Sequence, residues 1–240
     1  MSENMSAEHF LQKLSDARRP KEQKTSEEAL ECESEKAFRD IPMREIFALA
    51  REFLNMPPTE IEKLLESPIH EVRVGAVSIM DWQARNKKTP EERRKELFDL
   101  YIKRHDRINN WDLVDRSAPF VVGRYLIDKS REMLYKLARS ESQWERRTAI
   151  VATDYFIRQG DTDDTFKIAE LLVHDPHDLV QKAVGGWVRE AGKKNLQQLL
   201  SFLDKYAATM PRTMLRYAVE HLDKAQREQY LSMKRRLSKS

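Results

Sequence analysis

Trp144-Glu145-Arg146-Arg147-Thr148-Ala149-Ile150, with Ser140 just ahead of it, has two counterparts elsewhere in the chain. Glu71-Val72-Arg73-Val74-Gly75-Ala76-Val77 follows Ser67-Pro68, and Leu179-Val180-Gln181-Lys182-Ala183-Val184 follows Asp175-Pro176. Aligned on Glu71, Trp144 and Leu179, the starts lie 73 and 35 residues apart, two periods and then one. Pro211 opens a further unit near the end. Periods of this length, built from helix pairs, mark HEAT-like or related solenoids, in which each repeat buries its apolar face against its neighbours.

Residues 90–104, 161–174 and 195–206, between the repeat starts, also read as helices. Thr89-Pro90-Glu91-Glu92 and Asp161-Thr162-Asp163-Asp164 place acidic groups where a helix dipole is positive. Met43, Ile46, Phe47, Ala50, Phe53 and Leu54 follow a three-and-four spacing, and Pro57-Pro58-Thr59 ends that helix and opens the next. No segment alternates like a strand. The expected fold is therefore all-α, a HEAT-like helical-repeat superhelix: a curved solenoid whose concave side can follow a rod.

The middle gap of the repeat holds Asn109-Asn110-Trp111-Asp112-Leu113-Val114-Asp115-Arg116-Ser117-Ala118-Pro119-Phe120-Val121-Val122-Gly123. On a helix, Trp111 and Asp115 share one face while Leu113, Val114 and Ala118 point toward neighbouring helices. An indole attracts cations and can lie against a sugar, and a fixed carboxylate stabilises positive charge that develops during bond cleavage. The bland alternative is a partly buried core residue beside a solvated charge.

Composition narrows the partners. The 240 residues can bury a sizeable core. The net charge is +3, but residues 1–40 hold 7 basic and 10 acidic groups, leaving 36 and 30 in residues 41–240. The charge of that mildly basic part permits a polyanion partner without requiring one. Cys32 is the only cysteine, which excludes an internal disulfide framework or a Cys-rich zinc site and fits a reducing cytoplasm. No signal peptide or span of roughly 20 apolar residues is evident, so no membrane role is expected. The six glycines form no phosphate-binding loop. His174 and His177 flank Asp175-Pro176, but no ligand stands at a matching spacing; neither metal nor cofactor is expected. Residues 1–36 are polar and read as a mobile or loosely docked extension ahead of a single domain at 37–240.

Asn110-Trp111-Asp112-Leu113-Val114-Asp115, the Trp144 stretch, Gln181-Lys182-Ala183-Val184-Gly185 with Arg189-Glu190, and Met210-Pro211-Arg212-Thr213-Met214-Leu215-Arg216-Tyr217-Ala218 together resemble AlkD-type DNA alkylation repair glycosylases. The likeness runs in order from near Phe38 to near Leu231. It implies a HEAT-like fold around duplex DNA and removal of cationic N3- or N7-alkylated purines, from the groove and without an extruded-base pocket. The resemblance implies that Asp115 stabilises an oxocarbenium-like sugar and orients water, Trp111 lies against the sugar, and Arg147 holds the backbone. A guanidinium can clamp a phosphate with two parallel hydrogen bonds; the alternative for Arg147 is an ion pair inside its repeat, with Asp154. Arg73, Lys182, Arg189, Lys193, Arg212 and Arg216 recur on the repeat helices, either as a phosphate-binding track or as solvated faces. Trp82 and Trp144 read as packing residues.

One departure from the family pattern matters. That pattern reads Ala-Val-Gly-Trp, its Trp forming a second aromatic wall, whereas this chain has Ala183-Val184-Gly185-Gly186-Trp187. One helical residue turns a side chain by about 100°. Trp187 therefore joins the apolar stripe of Val180, Ala183, Val184, Val188 and Ala191, and Gly186 falls on the polar side with Lys182, Arg189 and Lys193, unless a local bulge intervenes. A monomeric cytoplasmic protein, nucleoid-associated in a prokaryote, is expected. The alternative reading is a non-catalytic HEAT-like module for damaged or branched DNA, or a protein-interaction scaffold.

Overall fold

A computed structural model describes residues 5–17 and 41–237, with side chains to residue 233. Among the described residues every regular element is helical, so the fold is all-α and built from packed helix pairs, as expected. Contacts divide the chain into two compact units, 1–117 and 118–240. None of the described helices is long and apolar enough to cross a membrane.

The first unit holds α1 (Ala7–Asp16), α2 (Met43–Glu52), α3 (Pro58–Leu65), α4 (His70–Arg85), α5 (Glu91–Lys103) and α6 (Trp111–Ala118), which ends at the boundary between units. Helix α4 is apolar on almost every face, and Val72, Val74, Ala76, Val77, Ile79 and Met80 are all buried. Such a helix must be surrounded; α2, α3 and α5 pack on it.

Helix α1 corrects the expected loose extension. Ala7, Phe10 and Leu14 form a stripe at helical spacing and are buried. Phe10 meets Phe53 edge-on at 5.2 Å, and its ring occupies the space above Gly75, where a Cβ would approach its Cζ to 2.4 Å. Ser6 caps the helix by accepting the His9 N–H, and the Ala7 N–H donates to Glu60 at 2.8 Å. A stripe of three buried residues among thirteen is easily passed over in a polar stretch, yet burying one Phe stabilises by several kcal/mol, about 3–5 by truncation. Thus residues 5–17 belong with the first unit. The expected boundary at 36/37 and the acidic run near Cys32 lie outside the described residues.

The second unit begins with a π-helical turn, Pro119–Gly123, and α7 (Arg124–Leu126). Then come α8 (Glu132–Leu137), α9 (Gln143–Val151), α10 (Asp154–Arg158), α11 (Asp163–Leu172), α12 (Asp178–Gly192), α13 (Leu196–Tyr206), α14 (Arg212–Ala218) and α15 (Lys224–Leu237). Helix α12 is central here, packed by α9, α11, α13 and α14. It approaches α14 closely because position 185 has no side chain: a Cβ on Gly185 would lie 2.4 Å from the Met214 carbonyl oxygen and 2.7 Å from the Tyr217 Cβ.

The repeat seen in the sequence has a shared hydrogen-bonded device. Arg73 Nη1 donates to the carbonyls of Ser67 and Pro68, six and five residues back, at 2.9 and 2.8 Å. Arg146, at the matching position, donates to Ser140 and Glu141 at the same offsets and the same two distances. Gln181, third in register, donates to the Asp175 carbonyl six residues back at 2.9 Å. In each case the side chain satisfies carbonyls of the loop that leads into its helix, which would otherwise lack intrahelical partners.

Candidate nucleic-acid interface

Helix α6 presents Trp111 and Asp115 to solvent; Trp111 is 50% exposed and Asp115 is also exposed. Their orientation follows from the buried opposite side, where Leu113, Val114, Ser117 and Ala118 sit in the core. Arg116 anchors that side. Its guanidinium lies 3.4 Å from Asp81, which is fully buried on α4, and stacks over the rings of Phe47 at 4.5 Å and Trp82 at 5.2 Å. Burial lowers the Arg116 pKa, with Asp81 opposing the shift. Turning Arg116 inward turns its neighbour Asp115 outward. At the start of the helix, Asn110 Oδ1 accepts the Trp111 N–H at 2.7 Å, and His70 meets Asp112 at 2.7 Å. Trp82 is a packing residue, half-buried and donating to the Phe47 carbonyl at 3.2 Å.

A second group lies within the second unit, on α9, α12 and α14. Arg147 is buried, and its Nη1 donates to the Leu179 carbonyl. Asp154, the other partner expected for Arg147, pairs with Arg158 at 2.8 Å. Lys182 stands at the repeat position equivalent to Arg147 and pairs with Asp178 at 2.5 Å. The hydrogen bond that Lys182 donates to Asp178 raises the Lys182 pKa, Tyr217 acts in the same direction, and the charge of Arg147 opposes them. Trp144 is partly exposed at the start of α9.

Arg73 must be reassigned. It is buried and bound to loop carbonyls, with a further contact to Asn109 at 3.4 Å, so its donors point into the fold rather than toward a phosphate. Burial pushes its pKa down. Arg189 pairs with Glu190 at 3.0 Å and with Glu220, and Lys193 pairs with Glu190 at 2.8 Å. Arg212 donates to the Leu231 carbonyl at 2.8 Å and, with Arg216, Arg227, Glu228, Leu231 and Ser232, lines an open hollow of about 500 Å³. Arg227 gave no signal in the sequence beyond its charge.

Helix α12 is regular from end to end, without a bulge at the family's aromatic position. Gly186 is partly exposed, and a Cβ there would meet nothing within 4 Å. Trp187 keeps to the apolar stripe but is half-buried, at its edge, rather than a full core residue. Asp175 is buried against Arg146 at 2.5 Å while His174 and His177 are exposed. No three His, Cys, Asp or Glu residues cluster to hold a metal among the described residues.

The family model described as DNA alkylation repair enzyme matches residues 10–222. The chain belongs to the DNA alkylation repair enzyme family. Its match begins at Phe10, inside α1, in keeping with the docking of that helix. Membership gives this family member a DNA repair role, with DNA as its substrate. A solved structure described as a predicted DNA alkylation repair enzyme from Enterococcus faecalis shares the fold, with a TM-score of 0.60 and 20% identity over 78% of this chain and 88% of that one. No curated protein matches the chain.

Proposed function

We propose that the protein is a DNA glycosylase for cationic N3- or N7-alkylated purines in duplex DNA. The observation that carries this reading is the joint exposure of Trp111 and Asp115 on α6, a helix whose other side is fixed by the core. Alkylation has already given the base a positive charge. When the C1′–N bond breaks, its electron pair leaves with the base and neutralises that charge, so no strong acid is needed. The sugar becomes an oxocarbenium-like cation. Asp115 stabilises this cation and orients the water that adds to C1′ and gives up a proton, and Trp111 lies against the sugar. Arg147 and Lys182 hold a backbone phosphate, Arg147 being fixed beside α12 through the Leu179 carbonyl, three residues before Lys182.

The test is incubation of the full chain with methylated duplex DNA and chromatography of the released bases. Release of free methylpurine supports the reading, and intact DNA after prolonged incubation opposes it. The non-catalytic reading draws support from Gly186, which supplies no aromatic ring where the family pattern has one. It requires DNA binding without base release in the same assay.

A further inference from the structure

We infer that Tyr217 is the aromatic DNA contact of the second unit, standing in for the ring that Gly186 does not supply. The inference deepens the proposed reading and rests on DNA being the ligand. Tyr217 is 39% exposed, one of the few large side chains with apolar surface left open among the described residues. Its base is nevertheless held firmly, because its Cβ packs over Gly185 at the closest approach of α12 and α14. Its hydroxyl has no hydrogen-bond partner among the described residues. The neighbours suit a nucleotide: Lys182 stands one turn before Gly185, the residue that the Tyr217 Cβ packs over, and Arg147 donates to the carbonyl of Leu179, three residues before Lys182. Lys182 and Gly186 are four residues apart, on one face of α12, and the surface at Gly186 is open.

A rigidly based ring beside two cations and next to uncovered surface has the components of a single-nucleotide contact. The cations take the phosphate, and the ring takes the face of the adjoining sugar or base. Such stacking tolerates different bases, since every base has a π-face. The occupant is thus a DNA strand. Gly186 leaves the neighbouring surface of α12 uncovered, where a larger side chain would project.

The test uses the full chain and an end-labelled duplex with one tetrahydrofuran abasic-site analogue. Affinity is measured for the wild type and for Tyr217→Phe, Tyr217→Leu and Tyr217→Ala, with melting temperature as a control. Tyr217→Leu retains apolar contact on Gly185, so a loss shared by Leu and Ala at an unchanged melting temperature reports the ring. The expected loss is about 10-fold, that of one stacked ring, with Phe near wild type and the salt slope unchanged. Full affinity in Tyr217→Leu, or a loss in Tyr217→Phe as large as in Tyr217→Leu, would overturn the assignment. Base release from methylated duplex separates the two ideas. Tyr217-dependent binding without release removes the glycosylase reading alone, and release with Tyr217-independent binding removes this inference alone.

Discussion

Arg73 and Lys182 are both basic residues on repeat helices, one register position apart, and their surroundings give them opposite roles. Arg73 holds two loop carbonyls from a buried position, whereas Lys182 is half-exposed and paired with Asp178. Arg73→Ala should destabilise the protein by about 2–3 kcal/mol, as loss of charged hydrogen bonds does, and lower the melting temperature by roughly 5 °C. It should leave the salt dependence of DNA affinity unchanged. Lys182→Ala should do the reverse, reducing the logarithmic salt slope by about 0.9 with little thermal effect. Calorimetry together with salt titrations checks both, and an Arg73 variant that melts normally but loses slope would contradict the reassignment. The spacing in sequence exposed the Trp111–Asp115 pair because four residues on a helix share a face. It did not separate Arg73 from Lys182, because charge alone does not say whether the loop before the helix offers carbonyls within reach.

At the level of elements, α12 carries two adjacent glycines with different duties. Gly185 admits the backbone of α14, and Gly186 faces open space. Gly185→Ala should therefore cost about 1–3 kcal/mol or more through overpacking, whereas Gly186→Ala should leave stability unchanged or raise it by about 0.5–1 kcal/mol through helix propensity. Thermal melts of the two variants decide this, and equal destabilisation would show that the helix is crowded on both faces. Helix α1 offers a second check: Phe10→Ala should cost about 3–5 kcal/mol because the ring fills the space over Gly75 and meets Phe53. A stability change near zero would return α1 to the loose extension that its polar sequence suggests. The existence of the repeat helices was legible from periodicity. The docking of α1 was not, because its partner is an absent side chain at Gly75, sixty-five residues away.

For the whole molecule, the repeat positions and the all-α class were readable because loop, helix start and apolar face recur together. The division into two units was not, since the period continues across it. If the excess of basic side chains beyond residue 40 serves to bind DNA through its phosphates, affinity should fall steeply with salt. Salt-independent affinity would contradict that. Family membership establishes a repair role, and in the proposed function Asp115 supplies the chemistry. The most direct measurement is single-turnover release of an N-methylated purine from duplex DNA by wild type and Asp115→Asn, with affinity and melting temperature recorded for each. Release should fall 100-fold or more, the usual cost of losing one such electrostatic group, while binding and stability stay nearly the same; equal release rates for the two proteins would remove Asp115 from the chemistry.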